Sequence, residues 1–334
     1  MGSLANELDR IAAETGFSGA VRVDRGDELE LARAYGLAHR GLQAPNTVET
    51  QFAVASAVKG MTALVVVSLI VDGVLTLETP ARTVLGGDLP LIGDDVTVEH
   101  LLSHRSGIGD YFDEDAEHDI GDYVMPVPVH ELATTEQYLV VLDGHPAKFA
   151  PGTAFSYCNG GFVVLALIAE RASGVPFHEL VQQRVCEPGG LSNTAFLRTD
   201  DLPGRAALGY VEVDGVERSN VFHLPVRGSG DGGIYTTVGD VRLLWTSFFA
   251  GRIVPASWVA EMVRPRSVVS DDTRYGLGFW LAGSGDAVRL EGYDAGVFLR
   301  SWHHPSSSLT YTVVSNRSAG VWPLARALRE RLSN

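Results

Sequence analysis

Alternating apolar and polar positions open the chain. Ser18–Asp24 and Glu28–Tyr35 both alternate, and Arg25-Gly26-Asp27 between them is a turn sequence, so the pair predicts a β-hairpin. The segment before it, MGSLANELDRIAAETG, repeats its apolar residues at helical spacing and predicts a short amphipathic helix. Gln51–Val54 reads as a short extended piece. From Ser56 to Asp72 apolar residues occupy every face of a predicted helix, which implies burial, and Gly73 is placed to end it in a left-handed conformation.

Between about Thr76 and Pro203 the periodicity is helical. Thr97–Ser103, Thr134–Leu142 and Phe162–Ser173 are predicted helices joined by Pro- and Gly-rich loops. Thr97 with His100 in place of glutamate makes an imperfect capping box. Tyr111–His130, rich in Asp, Pro and His, is an expected long loop that shapes a pocket. From about Ala206 alternation returns. Ala207–Val213 and Val216–Val221 flank Asp214-Gly215 as a second hairpin, and Gly276–Leu281, Ala287–Glu291, Ala295–His303 and Leu309–Ser315 follow as antiparallel strands. Asp240–Phe249, Pro255–Met262 and Trp322–Leu332 are the helices of this half. The pattern predicts an α+β fold: a body from 1–75 and 206–334 around a central antiparallel sheet, a mainly helical lobe over 76–205, and a ligand cleft at their junction.

Composition narrows the functions open to such a fold. The 334 residues carry a formal net charge of -15, and the basic residues are scattered, which disfavours nucleic acid as a partner. Two cysteines, Cys158 and Cys186, make no disulfide framework. His100 and His104 stand four apart without the glutamate of a zincin helix, so no metal is expected. The amino-terminal helix lacks a basic region followed by an apolar run, and Ala63–Val71 is too short to span a bilayer. A soluble, cytoplasmic protein with no membrane partner is the expectation.

The candidate chemistry lies in VASAVKGM. Ser56 falls in the first turn of the predicted buried helix, and Lys59 comes three residues later, on the same face. A serine hydroxyl needs a base in hydrogen-bond reach, and a lysine serves as one when burial and a helix amino terminus lower its pKa. First-turn N–H groups are free to stabilise an oxyanion. The pair alone is equally compatible with a serine near a helix start and a lysine that snorkels to solvent. Only two lysines, Lys59 and Lys148, stand among the 26 basic residues, so this one is not a routine surface charge. A second phrase, PGTAFSYCNGGF, places Tyr157 and Asn159 two apart just before a helix. The phenol can relay a proton and the amide can hold substrate, although a core aromatic and a helix cap are the plain alternative. Cys158 between them reads as a small buried thiol.

With these residues in view, the chain resembles the serine β-lactamase and penicillin-binding-protein superfamily, in particular its class C β-lactamase-like branch of esterases, D-aminopeptidases, D,D-peptidases and acyltransferases. The resemblance is carried by Ser56-x-x-Lys59, Tyr157-x-Asn159 and the phrases HLLSHRSGIGDY, PGTAFSYCNGGF and GSGDGGIYTTVGDV, in order from about Gly16 to Arg329. It implies a β-lactamase/transpeptidase-like fold and acylation of Ser56, with Lys59 and Tyr157 sharing acid-base work and Asn159 binding substrate. It implies no cofactor. The substrate it implies is a small-molecule or peptide ester or amide.

The third motif of the superfamily is a Lys-Thr-Gly or His-x-Gly triplet on the strand beside the cleft. Its expected place is Gly292-Tyr293-Asp294-Ala295-Gly296, with Tyr293 where the cation belongs and Asp294 beside it. The resemblance then implies that the backbone N–H of Gly296 joins that of Ser56 in an oxyanion hole. Without the cation, and with Asp294 repelling anions, the expectation is esterase or amidase action on neutral or cationic substrates rather than efficient β-lactam turnover. Arg289 or Arg300 would restore a positive charge if either reached the cleft. An acyltransferase using the same acyl-enzyme, or a non-catalytic binding or sensor protein, are the alternatives.

Overall fold

The computed structural model describes residues 3–114 and 123–332, so part of the expected Tyr111–His130 loop lies outside the described residues. Eight antiparallel strands form the main sheet: β1 (Gly19–Arg25), β2 (Glu28–Tyr35), β3 (Ser267–Ser270), β4 (Thr273–Tyr275), β5 (Trp280–Ala282), β6 (Val288–Asp294), β7 (Val297–His304) and β8 (Leu309–Ser315). Their spatial order is β2-β1-β8-β7-β6-β5-β4-β3. The two ends of the chain therefore meet inside the sheet, with Val21 of β1 opposite Val313 of β8.

Period-two alternation sorts the strand residues onto two faces. Val21, Val23, Phe298, Tyr311 and Val313 pack with α1 (Leu4–Thr15) and the carboxy-terminal helix Val321–Leu332. Ala20, Leu290, Leu299 and Val314 face the other way and join the main core. That core also takes in α2 (Lys59–Val71), α3 (Asn159–Ser173) and α4 (Val238–Phe249). α2 is buried from Lys59 to Leu69, as its unbroken apolar composition requires. Gly73 ends it at φ 74°, and the N–H groups of Gly73 and Val74 return to the carbonyls of Ile70 and Leu69.

Three differences from the sequence expectations have local causes. β6 is longer than the expected Ala287–Glu291 and runs on to Asp294, because the turn into β7 is only Ala295-Gly296. β3 and β4 escape the pattern because serine, threonine and arginine supply most of their residues. The capping box at Thr97 is complete, since His100 Nδ1 accepts the Thr97 N–H in glutamate's place. Among the described residues no single helix is long and apolar enough to cross a bilayer.

Leu64, fully buried at the middle of α2, tests how much the core depends on this helix. Leu64→Ala is expected to lower the unfolding free energy by about 2–5 kcal/mol, the usual cost of such a cavity. Urea unfolding should show a lower midpoint with an unchanged slope.

Candidate active site

Ser56 sits not in an α-helix but in a 3-10 turn, Ala55–Val58, that leads into α2. In a 3-10 turn side chains three apart lie one above the other, and this puts Lys59 Nζ 2.7 Å from Ser56 Oγ. The turn is tightly held. Ala55 has a φ of 45°, a left-handed conformation that a non-glycine residue adopts only when its surroundings impose it. β6 presses on the turn from the side: a Cβ at Gly292 would lie 2.8 Å from the Ser56 and Ala57 nitrogens and overlap the Val54 carbonyl. Only glycine fits there.

Lys59 is 2% exposed, and its Nζ has three oxygen neighbours: Ser56 Oγ, Asn159 Oδ1 at 2.8 Å and the Asp231 carbonyl at 2.9 Å. The Asn159 amide is oriented unambiguously, because its Nδ2 donates to the Phe112 carbonyl and to Glu114. Carbonyl oxygens only accept, so Asn159 and Asp231 each claim one N–H of the lysine. A neutral amine has two, and its lone pair is then left facing the serine hydroxyl. Burial is the main force pushing the Lys59 pKa below its ordinary 10.5, opposed by the charges of Asp231, Glu114 and Asp110. The arrangement can accept a proton from Ser56.

The start of α3 supplies the other half of the site. Cys158 caps the helix, with Sγ accepting the Gly161 N–H, and its thiol pKa is pushed well up by burial. The thiol is structural, as the sequence indicated. Asp110 accepts the N–H groups of Asn159 and Gly160 and so fixes the position of Asn159. Its own pKa is pushed up to about 6 by burial, against the pull of those bonds. Tyr157 lies beside Lys59, with Nζ 4.9 Å from its ring centre. Burial, and then the nearby Glu114 charge, raise the phenol's pKa well above 10.0, while its contact with Ser56 pulls the other way. Tyr157 therefore holds its proton and is a donor at rest.

The strand wall requires a correction. Gly296 belongs to the β6–β7 turn, and its N–H donates to Ser318 Oγ, so it is not brought to Ser56. The glycine resting on the Ser56 turn is Gly292, three to four residues earlier than expected. By position Leu290 then stands where the triplet has its cation. Leu290 is 4% exposed and packs against Gly60 of α2. The Tyr293 ring turns to the opposite face of the sheet, 5.9 Å from Trp322. Its backbone follows directly on Gly292, which rests on the Ser56 turn, and because Asp294 and Val297 close the hairpin, alternation points the Tyr293 N–H away from β7, to the other edge of β6. β5 pairs with β6 only at Val288 and Arg289, so it does not cover that edge. Arg289 and Arg300 both pair with Glu291 and do not line the cleft.

Ser56 opens into a cleft of about 790 Å³, its mouth included. Tyr111, Phe112, Tyr123, Met125, Leu224 and Pro225 give it an apolar, aromatic wall. Glu114, Asp231 and Asp294 add carboxylates, and no lysine or arginine among the described residues lines it. Asp231 accepts the Tyr111 hydroxyl, and burial raises its pKa despite the nearby Lys59. The Asp294 pKa is pushed up to about 7, first by burial and then by Asp231 and Glu114. Asp110, Glu114 and Asp231 were missed in the sequence reading. Their one visible signal was an acidic residue inside or just after a phrase already singled out.

An antiparallel sheet flanked by helices, with a serine and a lysine at the head of a buried helix, defines the β-lactamase/transpeptidase-like class of fold. The solved penicillin-binding protein from Bacillus halodurans superposes with a TM-score of 0.92 at 32% identity, covering 97% of this chain and 100% of that one. The profile of the family described as Beta-lactamase matches residues 4–333, and the chain belongs to that family. Among curated relatives, esterase EstB of Burkholderia gladioli is 30% identical over 72% of this chain and 68% of its own length. Penicillin-binding protein 4* of Bacillus subtilis is 25% identical over 84% of this chain and 63% of its length. The chain thus spans roughly two thirds of these relatives.

Asp294 offers a pH test of the cleft's electrostatics. Its folded-state pKa of about 7 exceeds the ordinary 3.8, so the folded protein binds the proton more tightly than the unfolded chain. Its contribution to stability is therefore lost as pH rises through that window. Asp294→Asn should raise the urea midpoint at pH 8, with the gain fading to nothing near pH 4. An equal gain at both pH values would mean that ionisation is not the cause.

Proposed function

We propose that the protein hydrolyses an ester or amide through an acyl-enzyme on Ser56. The observation that carries this reading is the buried Lys59 Nζ 2.7 Å from Ser56 Oγ, its other two contacts being carbonyl oxygens; in its neutral form the amine would have its lone pair left for the serine hydroxyl. Ser56 Oγ adds to the substrate carbonyl as its proton passes to Lys59. The N–H groups of Ser56 and Tyr293 receive the charge that develops on the carbonyl oxygen. Tyr157 gives its proton to the leaving alcohol or amine, and Lys59 returns one to the phenol. Water then attacks the acyl carbonyl carbon, losing a proton to the same pair; the bond to Ser56 Oγ breaks, the pair returns that proton to Oγ, and the acid leaves. Asn159 serves by holding Lys59, since both ends of its amide are already occupied.

The esterase and D-aminopeptidase names among the relatives support a hydrolase of this kind. The charge lining the cleft supports a neutral or cationic substrate, and two buried free thiols fit a reducing, cytoplasmic setting.

A fluorophosphonate probe should label the protein at Ser56. Ser56→Ala should abolish the label and lower p-nitrophenyl ester hydrolysis by about 10³-fold or more. A wild-type protein that takes no label would overturn the reading. In a matched ester series, kcat/KM should fall in the order cationic, neutral, anionic acyl group, with nitrocefin turned over slowly. Rapid nitrocefin hydrolysis alongside untouched p-nitrophenyl esters would reverse the assignment of substrate charge.

A further inference from the structure

Tyr157 lies on an irregular segment ahead of α3, where backbone hydrogen bonding alone does not fix a side chain. With three neighbouring aromatic rings Tyr157 closes a circuit of four. Tyr157 lies 4.3 Å from His104, His104 lies 4.7 Å from Tyr275, Tyr275 lies 4.9 Å from Trp280, and Trp280 lies 5.6 Å from Tyr157. The last contact is nearly parallel, at 13° between planes, so the indole of β5 lies along the phenol ring. His104 is fixed in turn, because its Nδ1 accepts the Cys158 N–H at 3.0 Å. Trp280 is backed by Arg289, whose guanidinium lies 5.4 Å from its ring and 4.9 Å from Trp302. Arg289 and Trp280 are directly paired across β5 and β6.

The family position that holds a cation is filled here by Leu290, which packs on Gly60 and has no polar atom to offer the Tyr157 hydroxyl. The restraint on the phenol must come from elsewhere. We propose that Trp280 is a positioning residue for Tyr157: its indole, braced by Arg289 and Tyr275, holds the phenol in the orientation that serves Ser56. This rests on Tyr157 acting as the proton donor in the reading above. Trp280 is not among the residues that line the cleft, so its effect on the reaction is expected to pass through Tyr157.

The test is a double-mutant cycle on p-nitrophenyl ester hydrolysis, with Trp280→Ala, Trp280→Phe, Tyr157→Phe and the Tyr157→Phe/Trp280→Ala pair. Trp280→Ala should lower kcat by roughly 10- to 100-fold, the scale of an ångström-sized misplacement of a catalytic group. KM should stay within about twofold, and Trp280→Phe, which keeps a flat ring, should recover most of the rate. In the Tyr157→Phe background, Trp280→Ala should cost little more, because the group it positions is already gone. Should Trp280→Ala not fold, the cycle is run with Trp280→Leu. The proposal is overturned if the Trp280 and Tyr157 losses simply multiply, or if Trp280→Phe is as impaired as Trp280→Ala. A Tyr157→Phe variant that retains wild-type kcat would instead overturn the catalytic reading of Tyr157.

Discussion

A lysine amine buried in the centre of the protein is the constraint to which the rest answers. Taking an ammonium out of water costs several kcal/mol, and an amine without partners is also unfavourable there. Lys59 meets three oxygens, each delivered by a different part of the chain: the Ser56 turn, the first residue of α3, and the Gly228–Gly233 loop. The last two are anchored in turn. Asp110 fixes the start of α3, and the Thr62 hydroxyl donates to the Gly230 carbonyl at 2.7 Å. Serving one side chain thus places the nucleophile, the amide and the floor of the cleft.

The second theme is a charge balance unlike that expected from the superfamily. Leu290 seals with carbon the place where a cation stands in the resembled motif, and the two nearby arginines are spent on Glu291 and on tryptophan faces. Carboxylates instead gather around the cleft, and burial raises the pKa of both Asp231 and Asp294. On the proposed reading, the residues that would acylate Ser56 and those that would choose what is acylated are therefore different sets. One can be kept while the other drifts.

Much of this was legible in the sequence, for reasons that can be named. Period-two alternation exposed β1, β2, β7 and β8, and the unbroken apolar run exposed α2. Ser56, Lys59, Tyr157 and Asn159 were found because their chemistry and spacing are local. What failed was register. Ala295 and Gly296 looked like part of a strand motif, yet they are the turn, and the glycine that rests on the Ser56 turn is Gly292. The true marker, Gly292, is glycine because of a steric contact with a segment more than 200 positions away, and no local pattern records such a contact. Asp110 and Asp231 were hidden for the same reason, since their partners are Asn159, Gly160, Tyr111 and Lys59.

α2 belongs at once to the site and to the middle of the largest apolar cluster, which reaches from Ala20 and Val314 of the sheet to Phe177 and Val185 beyond α3. No seam in that cluster separates the strands from the helical segments. Parting these helical segments from the sheet would tear the cluster in two, so among the described residues they are held to the strands as one packed unit. If Ser56 acts as proposed, heat should end turnover and unfold the chain in a single event.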